Sequence, residues 1–453
     1  MIEATDAAKI WDMRKRRAAV PALFFLPLVV WMGMRAGQDA LELRVRVSPD
    51  PVYLRQGSTM NLAVSLPIPF NFTYLPAAMF RWGEDAADPL GVFNAKGEYT
   101  ALRAGSTRIY IEPDAFMPAR SRLRKYMDVH ISPAKTFPAA PDKEVVAIYF
   151  PWFSERYTPP PPRPRAADLW SAYTPTVSPY DTQSPAVNEQ HIRMARDAGI
   201  DAFCVSWFTN RVKFDFDYDM LFPPTLDNFA RLGPRLGFRI YIHYESHMNL
   251  LVPDGLFTPL ATAAERAQAR LDAKADFDLL LGVLSPIEAK PAVFVYLAEY
   301  VGLAPADWKI VIDETRKKYP DAVFYAGTYN LSYLSAFDGL YDFGAAYFPA
   351  QYEAYASMAA AVKGYGPDKK FYATVSPGID STLYWGPHPL LIRRGDGAYY
   401  EMTWEKALAA KPDGIFVSTW NEWGESSIIE PAKQYGYKYI DTTADNVIRF
   451  KTR

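Results

Sequence analysis

Gly414-Ile415-Phe416-Val417-Ser418-Thr419-Trp420-Asn421-Glu422-Trp423-Gly424-Glu425 is an apolar, β-branched run that ends in one asparagine, two glutamates and two tryptophans. A segment of this kind reads as a buried strand delivering polar groups to its C-terminal end, which is where parallel α/β barrels hold their chemistry. Two carboxylates beside aromatic rings also meet the needs of glycosidic bond cleavage. One group handles protons, another supplies negative charge or a nucleophile, and flat apolar faces receive sugar C–H groups. The stretch, continued to Glu430 and Pro431, is therefore the candidate active site.

Upstream of it, strand-like and helix-like runs alternate from near Lys143. A strand at Val145 to Phe150 precedes a helix near Pro185 to Ala198. Ala202 to Trp207 precedes a helix from about Leu226, and Arg239 to Tyr244 a long helix from about Thr262 to Leu281. Further strands fall at Ala292 to Tyr296, Val323 to Thr328, Gly339 to Phe343, Phe371 to Val375 and Gly414 to Trp420. About eight strands is the number that a closed (β/α)8 TIM barrel needs. An open doubly wound sheet is the alternative, but the Gly-rich phosphate loop that would support it is missing.

Ahead of the alternating region the pattern has period two. Leu41, Leu43, Val45 and Val47 alternate with Glu42, Arg44 and Arg46, as in a half-buried strand. Short strands follow at Val52 to Leu54, Met60 to Leu66, Ala78 to Trp82, Gly91 to Phe93, Glu98 to Leu102, Ser106 to Ile111 and Tyr126 to Ile131. This spacing predicts a small β-sandwich, and Phe93 to Gly105 resembles the closing hairpin of bacterial immunoglobulin-like domains. A Pro-rich joint from Ser132 to Pro141 stiffens the connection to the barrel. At the N-terminus, basic Arg14 to Arg17 precede the uncharged, mostly apolar run Ala18 to Met34, expected to be an uncleaved transmembrane signal anchor. The expected division is thus 1–40 cytoplasmic stub and anchor, 41–132 immunoglobulin-like β-sandwich, 133–144 linker and 145–453 catalytic barrel. The protein would sit in the cell membrane by a single pass, with its catalytic domain on the extracytoplasmic side.

Composition narrows the partner. The 453 residues are 49% hydrophobic and 15% aromatic, enough to bury a large core. With 49 Lys+Arg against 51 Asp+Glu the net charge is -2, so nothing argues for nucleic acid and a neutral substrate fits better. Cys204 is the single cysteine. It excludes an internal disulfide and a Cys/His metal cluster, and inside an apolar run it reads as a small buried hydrophobe.

Parallel barrel strands bring their C-terminal ends to one face. Those ends carry Tyr149 and Trp152, Ser206 and Trp207, His243 and Glu245, Tyr296 and Glu299, Tyr341 and Tyr347, Asp380, and finally Asn421, Glu422 and Glu425. An aromatic, acidic rim with few positive charges suits a neutral polyol. Packing is the ordinary role of any single rim aromatic, and capping or pairing with arginine that of a single glutamate. Two carboxylates three residues apart beside Trp420 and Trp423 are different, because they lower stability for no structural gain unless they are used. His247 beside Glu245 raises a metal as a reading, but no partner stands at ligand spacing.

The pieces also occur in a recognisable order. They are Ile148-Tyr149-Phe150-Pro151-Trp152, the Val187 to Met194 helix with His191, Ser206-Trp207, His243-Tyr244-Glu245, Phe294-Val295-Tyr296, and Phe337-Asp338-Gly339-Leu340-Tyr341. Val375-Ser376-Pro377-Gly378 with Asp380, Gly397-Ala398-Tyr399-Tyr400-Glu401 and Asn421-Glu422-Trp423-Gly424-Glu425 complete them. In this ordered set the region from about Val145 to Tyr439 resembles glycoside hydrolase family 99, the endo-α-mannosidase family. The resemblance implies a retaining, endo-acting hydrolase without metal or cofactor. It places the catalytic pair on Glu422, a base toward the sugar 2-hydroxyl, and Glu425, an acid and then base toward leaving group and water, through a 1,2-anhydro sugar. By the same analogy Tyr149, Trp152, Trp207, His243, Glu245, Tyr296, Tyr341, Asp380, Asn421 and Trp423 form the substrate-binding set.

Gly424 stands where the family's eukaryotic mannosidases have His, and Ser426, Ser427, Ile428 and Ile429 also depart from them. The Gly424 to Ile429 segment is therefore where substrate choice is expected to be decided. The expected partner is an oligosaccharide or polysaccharide of the cell envelope or for export, with envelope polysaccharide machinery nearby. The competing readings are a catalytically silent carbohydrate-binding or assembly protein, and a transglycosylase using the same site.

Overall fold

The structure is a computed structural model that describes residues 46–68, 71–75, 80–113, 124–153, 171–177, 180–208, 222–250, 259–383 and 389–453. Ten short strands come first: β1 (Arg46–Ser48), β2 (Val52–Arg55), β3 (Thr59–Asn61), β4 (Ala63–Ile68), β5 (Asn71–Leu75), β6 (Phe80–Glu84), β7 (Gly91–Phe93), β8 (Glu98–Ala101), β9 (Gly105–Pro113) and β10 (Lys125–Ser132). They form three sheets in the orders β1-β4-β5, β2-β10-β9-β6 and β3-β8-β7. Alternation along β10, with Met127, Val129 and Ile131 buried between exposed neighbours, turns one face onto Val52, Leu54, Ile109 and Ile111, as period-two patterning requires. The run expected as one strand from Met60 to Leu66 divides in two. Met60 pairs with Tyr99 in one sheet and Val64 with Val47 and Leu75 in another, so the chain changes sheets at Leu62.

Eight parallel strands then close a barrel: β11 (Glu144–Tyr149), β12 (Ala202–Trp207), β13 (Arg239–Glu245), β14 (Ala292–Tyr296), β15 (Val323–Gly327), β16 (Gly339–Tyr341), β17 (Lys370–Val375) and, after the small hairpin β18 (Ile379–Asp380) and β19 (Leu391–Ile392), β20 (Gly414–Val417). The closed barrel is the expected architecture, not the open sheet weighed against it, and β20 is the strand that joins β17 back to β11. Helices cover its outside, among them Pro185–Asp197 and the 22-residue Ala263–Leu284, whose first turn is fixed by a Thr262/Glu265 capping box.

The barrel interior is stacked in aromatic layers. Phe294 lies 4.6 Å from Tyr325 and 5.4 Å from Phe416, and Tyr341 5.1 Å from Phe416, ring centre to ring centre. Room for these rings comes from Gly414 and Gly339. A Cβ at Gly414 would collide with the Tyr372 ring, and one at Gly339 with the Lys370 carbonyl. At the N-terminal end, Glu144 closes the barrel by accepting from Tyr241 Oη (2.7 Å), Tyr372 Oη (2.8 Å) and Arg239 Nη1 (2.7 Å).

The β-module is fastened to the barrel. Buried Arg55 donates to the Asp197 carbonyl (2.9 Å), the Pro133 carbonyl (3.2 Å) and Asp441 Oδ1 (2.9 Å). Tyr53 stacks on Tyr437 at 6.1 Å, Ser58 bonds Asp197, and Gln190 Nε2 donates to the Asn61 carbonyl at 2.6 Å.

One expectation is corrected. Among the described residues no helix is long and apolar enough to cross a membrane, which overturns the single-pass membrane localisation. The Ala18 to Met34 run and the Arg14 to Arg17 cluster on which it rested lie outside the described residues, as does the first part of the Leu41 to Val47 strand.

Candidate active site

After Val417 the chain folds back on the end of its own strand. Trp420 N donates to Ile148 O (2.9 Å), Thr419 N to Ser427 O (2.9 Å) and Glu430 N to Trp420 O (3.1 Å), so residues 418–430 make a closed loop over the barrel mouth. Asn421 fixes its start. Its Oδ1 accepts from Phe150 N (2.7 Å) and its Nδ2 donates to Phe150 O (2.9 Å), so this side chain ties the eighth strand to the first. Glu422 N donates to Thr419 Oγ1 (2.8 Å). Both Glu422 and Glu425 are only 6% exposed.

Around them the other strand ends contribute in register. Ser206 pairs with His243 across β12 and β13, and His243 and Glu245, two residues apart on one strand, share the inner face. Glu245 Oε1 accepts from Ser206 Oγ (2.7 Å) and His243 Nδ1 (2.8 Å), while His243 Nε2 lies 2.9 Å from Tyr341 Oη. His247 Nδ1 stands 3.8 Å from Glu245 Oε2. Tyr296 faces His243 at 5.2 Å and His247 at 5.2 Å. From the loop after β16, Tyr347 Oη donates to Glu425 Oε2 at 2.7 Å.

The electrostatics separate these carboxyls. Burial, then the charges of Glu425 and Glu245, push Glu422 well above the usual carboxylate range. Burial pushes Glu245 up too, but the His243 charge and hydrogen bond, His247 and Ser206 outweigh it and hold Glu245 below that range. Tyr296, Tyr341 and Tyr347 are raised, first by burial and then by neighbouring negative charge, so all three stand as neutral phenols. The cleft therefore holds Glu245 toward its charged form and Glu422 toward its protonated form. Among the described residues no group of three or more His, Cys, Asp or Glu side chains is arranged to hold a metal ion.

The sequence-derived candidates fall into two groups. His243, Glu245, Tyr296 and Tyr341 are connected to one another as described and, through the shared inner face, open toward Glu422 and Glu425. Half-buried Trp152 packs at a tilt against Phe150 at 4.5 Å. Asp380 approaches by its backbone, with its N donating to Glu425 O (2.8 Å), while its Oδ1 is taken by Thr382 N and Oγ1. The others point elsewhere. Trp207 stacks on Tyr244 at 5.9 Å, whose hydroxyl donates to Asp276 on the covering helix Ala263–Leu284. Tyr149 Oη contacts His191 Nδ1 (3.0 Å) and accepts from Asn188 Nδ2 (3.2 Å). Trp423, fully buried, packs edge-on against Tyr180 at 5.6 Å. Tyr149 and Tyr180 belong to a second buried cluster, where His191 Nε2 lies 2.9 Å from Glu430 Oε1 and Tyr180 Oη donates to Glu430 Oε2 at 2.6 Å. Strand parity carries this division. Ser206, His243 and Glu245 share one parity, and Trp207 and Tyr244 the opposite one. The contact of Tyr347 with Glu425 has no local signal.

The chain is similar in sequence or in fold to several known proteins. Residues 312–443, which include Glu422 and Glu425, match the family model described as "Glycosyltransferase WbsX". A glycoprotein endo-alpha-1,2-mannosidase-like protein of Mus musculus is 25% identical over 358 residues, covering 73% of this chain and 75% of that protein. Its Homo sapiens counterpart is 25% identical over 284 residues, covering 58% of each chain, so the chain spans about three-fifths to three-quarters of the length of these relatives. Among solved structures, the GH99 endo-alpha-mannosidase from Bacteroides thetaiotaomicron superposes with a TM-score of 0.54 at 20% identity, over 69% of this chain and 99% of that one, a likeness of fold. The chain is thus an enzyme similar in sequence to endo-alpha-1,2-mannosidase-like proteins, with an eight-stranded closed barrel similar in fold to a GH99 endo-alpha-mannosidase.

Proposed function

We propose that the protein is a retaining, endo-acting glycoside hydrolase that cleaves α-mannosidic or related linkages inside an oligosaccharide or polysaccharide. The observation that carries this reading is the pair Glu422 and Glu425, buried at the end of the eighth strand, with a neutral tyrosine donating to one of them. In the first step the Glu422 carboxylate takes the proton of the sugar 2-hydroxyl, and that oxygen attacks the anomeric carbon. The glycosidic bond breaks, and its oxygen leaves with the proton of Glu425. In the second step Glu425 takes a proton from water, the water oxygen attacks the anomeric carbon of the 1,2-anhydro sugar, and the opening oxygen recovers its proton from Glu422. Substrate-assisted routes of this type are known exceptions to the direct carboxylate nucleophile. The Tyr347 hydrogen bond favours the ionised form of Glu425, and burial favours the protonated form of Glu422. The reacting complex needs the opposite distribution, and a 2-hydroxyl donating to Glu422 together with a glycosidic oxygen accepting from Glu425 supplies that bias. Glu245, Tyr296 and Tyr341 hold sugar hydroxyls.

The match to a model described as a glycosyltransferase favours a second reading of the same site. A sugar hydroxyl in place of water in the second step makes the enzyme a transglycosylase, with the same atoms moving. The module at 41–132 is proposed as an immunoglobulin-like domain, 133–144 as its linker and 145–453 as the catalytic domain. The absence of helix and strand at 133–143 supports these divisions.

The test is incubation of the full chain and its Glu425→Gln variant with α-linked mannan and with a panel of other α-linked polysaccharides, reading new reducing ends and chain length. Internal cleavage by wild type that the variant loses is expected. Equal release by both sinks the role of Glu425, and binding without cleavage of any glycan leaves a carbohydrate-binding protein. Elongated products exceeding hydrolysis make it a transglycosylase.

A further inference from the structure

Arg394 is the second residue after β19 and is 8% exposed. Its Nη2 donates to two main-chain carbonyls, Ser426 O and Ile428 O, at 2.6 Å each. Three phenol rings surround the guanidinium: Tyr439 at 4.5 Å, Tyr173 at 4.7 Å and Tyr435 at 5.3 Å. Its Nε and Nη1 have no hydrogen-bond partner among the described residues. Burying a charged donor with part of its bonding capacity unused is unfavourable, and aromatic faces offset it only partly. Such a group persists where what it holds has to be held in one place.

What it holds is the backbone that follows Glu425. Ser426 has φ 51°, a left-handed conformation that a non-glycine residue adopts only when its surroundings over-determine it. The over-determination is visible. Glu425 O accepts from Asp380 N (2.8 Å), Ser426 O and Ile428 O from Arg394, and Ser426 Oγ bonds Ser171 Oγ (3.1 Å) and Ala172 N (3.2 Å). Glu422 is held by the Thr419 hydroxyl and the Asn421 clamp to Phe150, and its carbonyl accepts from Ser427 N at 3.3 Å. The segment that Arg394 holds thus starts one residue after Glu425 and closes the loop back onto Glu422, so the mutual position of the two carboxyls is set where this segment is pinned.

We infer that Arg394 is a positioning residue that sets the Glu425 carboxyl relative to Glu422. The inference rests on the acid–base reading of Glu425. A planar guanidinium spans the two carbonyls with directed N–H groups, whereas a lysine ammonium brings the charge without the fork. A displacement of about 1 Å at a reacting group lowers turnover by about 10²-fold.

The experiment measures kcat and KM on the glycan cleaved by wild type for Arg394→Lys, Glu425→Gln and the double variant, with thermal melting as the check of folding. Arg394→Lys is expected to lose about tenfold to 10²-fold in kcat with KM within about threefold, and to lose nothing further in the Glu425→Gln background. Losses that multiply in the double variant, or a raised KM with unchanged kcat, overturn the inference while leaving the role of Glu425 intact. A Glu425→Gln variant at wild-type rate overturns the acid–base reading and the inference together. If Arg394→Lys does not fold, Tyr173→Leu removes one ring from the guanidinium at the half-buried edge of the cage. A kcat loss of about threefold that vanishes in the Glu425→Gln background supports the positioning role, and no loss in kcat overturns it.

Discussion

The two ends of the barrel use the same side chain in opposite ways. At the N-terminal end Glu144 is satisfied by Arg239, Tyr241 and Tyr372, so charge and hydrogen-bonding capacity close on themselves. At the C-terminal end Glu245, Glu422 and Glu425 crowd together, and His243 compensates only the first of them directly. Repulsion that the first end avoids is kept at the second. A carboxylate paired with an arginine holds structure, whereas one kept beside its own kind holds a proton that can be moved. The barrel thus carries its stability at one end and its chemistry at the other, as the fold favours.

The largest expected effect breaks the comparison at the top. Glu422→Gln and Glu425→Gln should each lower kcat by about 10²–10⁴-fold, and each should raise the melting temperature by about 2 °C by removing a like charge. Steady-state kinetics and calorimetry on the same samples check both halves, and a lower melting temperature for both variants would remove the electrostatic contrast. The mirror experiment is Glu144→Gln. Leaving Arg239 without its partner should destabilise the protein by about 1–2 kcal/mol, discounted for the partial exposure of the arginine, with kcat within about twofold of wild type.

A third change sharpens the division within the top. The Tyr347 hydroxyl favours ionised Glu425, so Tyr347→Phe should make that carboxyl harder to ionise. The alkaline limb of the kcat/KM profile should move upward, with kcat down by about tenfold. A profile with both limbs unmoved would detach Tyr347 from the acid–base pair. The smallest effect lies beside the cleft, at Asp342, which burial raises from 3.8 to about 6 against donors such as Tyr355. A carboxyl raised on folding contributes stability that is present below its unfolded value and lost as pH rises through the folded one. Asp342→Asn should therefore flatten the fall in melting temperature between pH 4 and 7, gaining about 2 °C at the upper end relative to wild type.

How much of this was legible in the sequence differs by level. Strands bounded by strong turn signals, Ala202–Trp207 and Ala292–Tyr296, stand where hydrophobic patterning placed them, because buried parallel strands are short apolar runs with little else to confuse them. Asn71–Leu75 was not anticipated. Prolines at 67, 69 and 76 hide its signal, and Pro67 is tolerated opposite Phe72 because β1 pairs only with Ala63–Ser65. In the site, Glu422, Glu425, His243 and Glu245 could be read from strand ends. Trp207 and Tyr149 carry the right chemistry at the wrong parity and pack outward. Tyr347 reaches Glu425, and Ser171 and Arg394 reach Ser426 beside it, from three distant segments, and no local pattern encodes a contact made by loop closure.

The clamp between the β-module and the barrel bears on how such chains can be inherited. Arg55 and Ser58 hold Asp197 at the end of helix Pro185–Asp197, and the same helix carries His191, which faces Glu430 in the loop that carries Glu422 and Glu425. Tyr53 and Arg55 reach Tyr437 and Asp441 on the segment that follows this loop. A module exchanged between lineages would have to bring its own answers to Asp197, Tyr437 and Asp441, so the two parts are expected to travel through descent as one heritable unit.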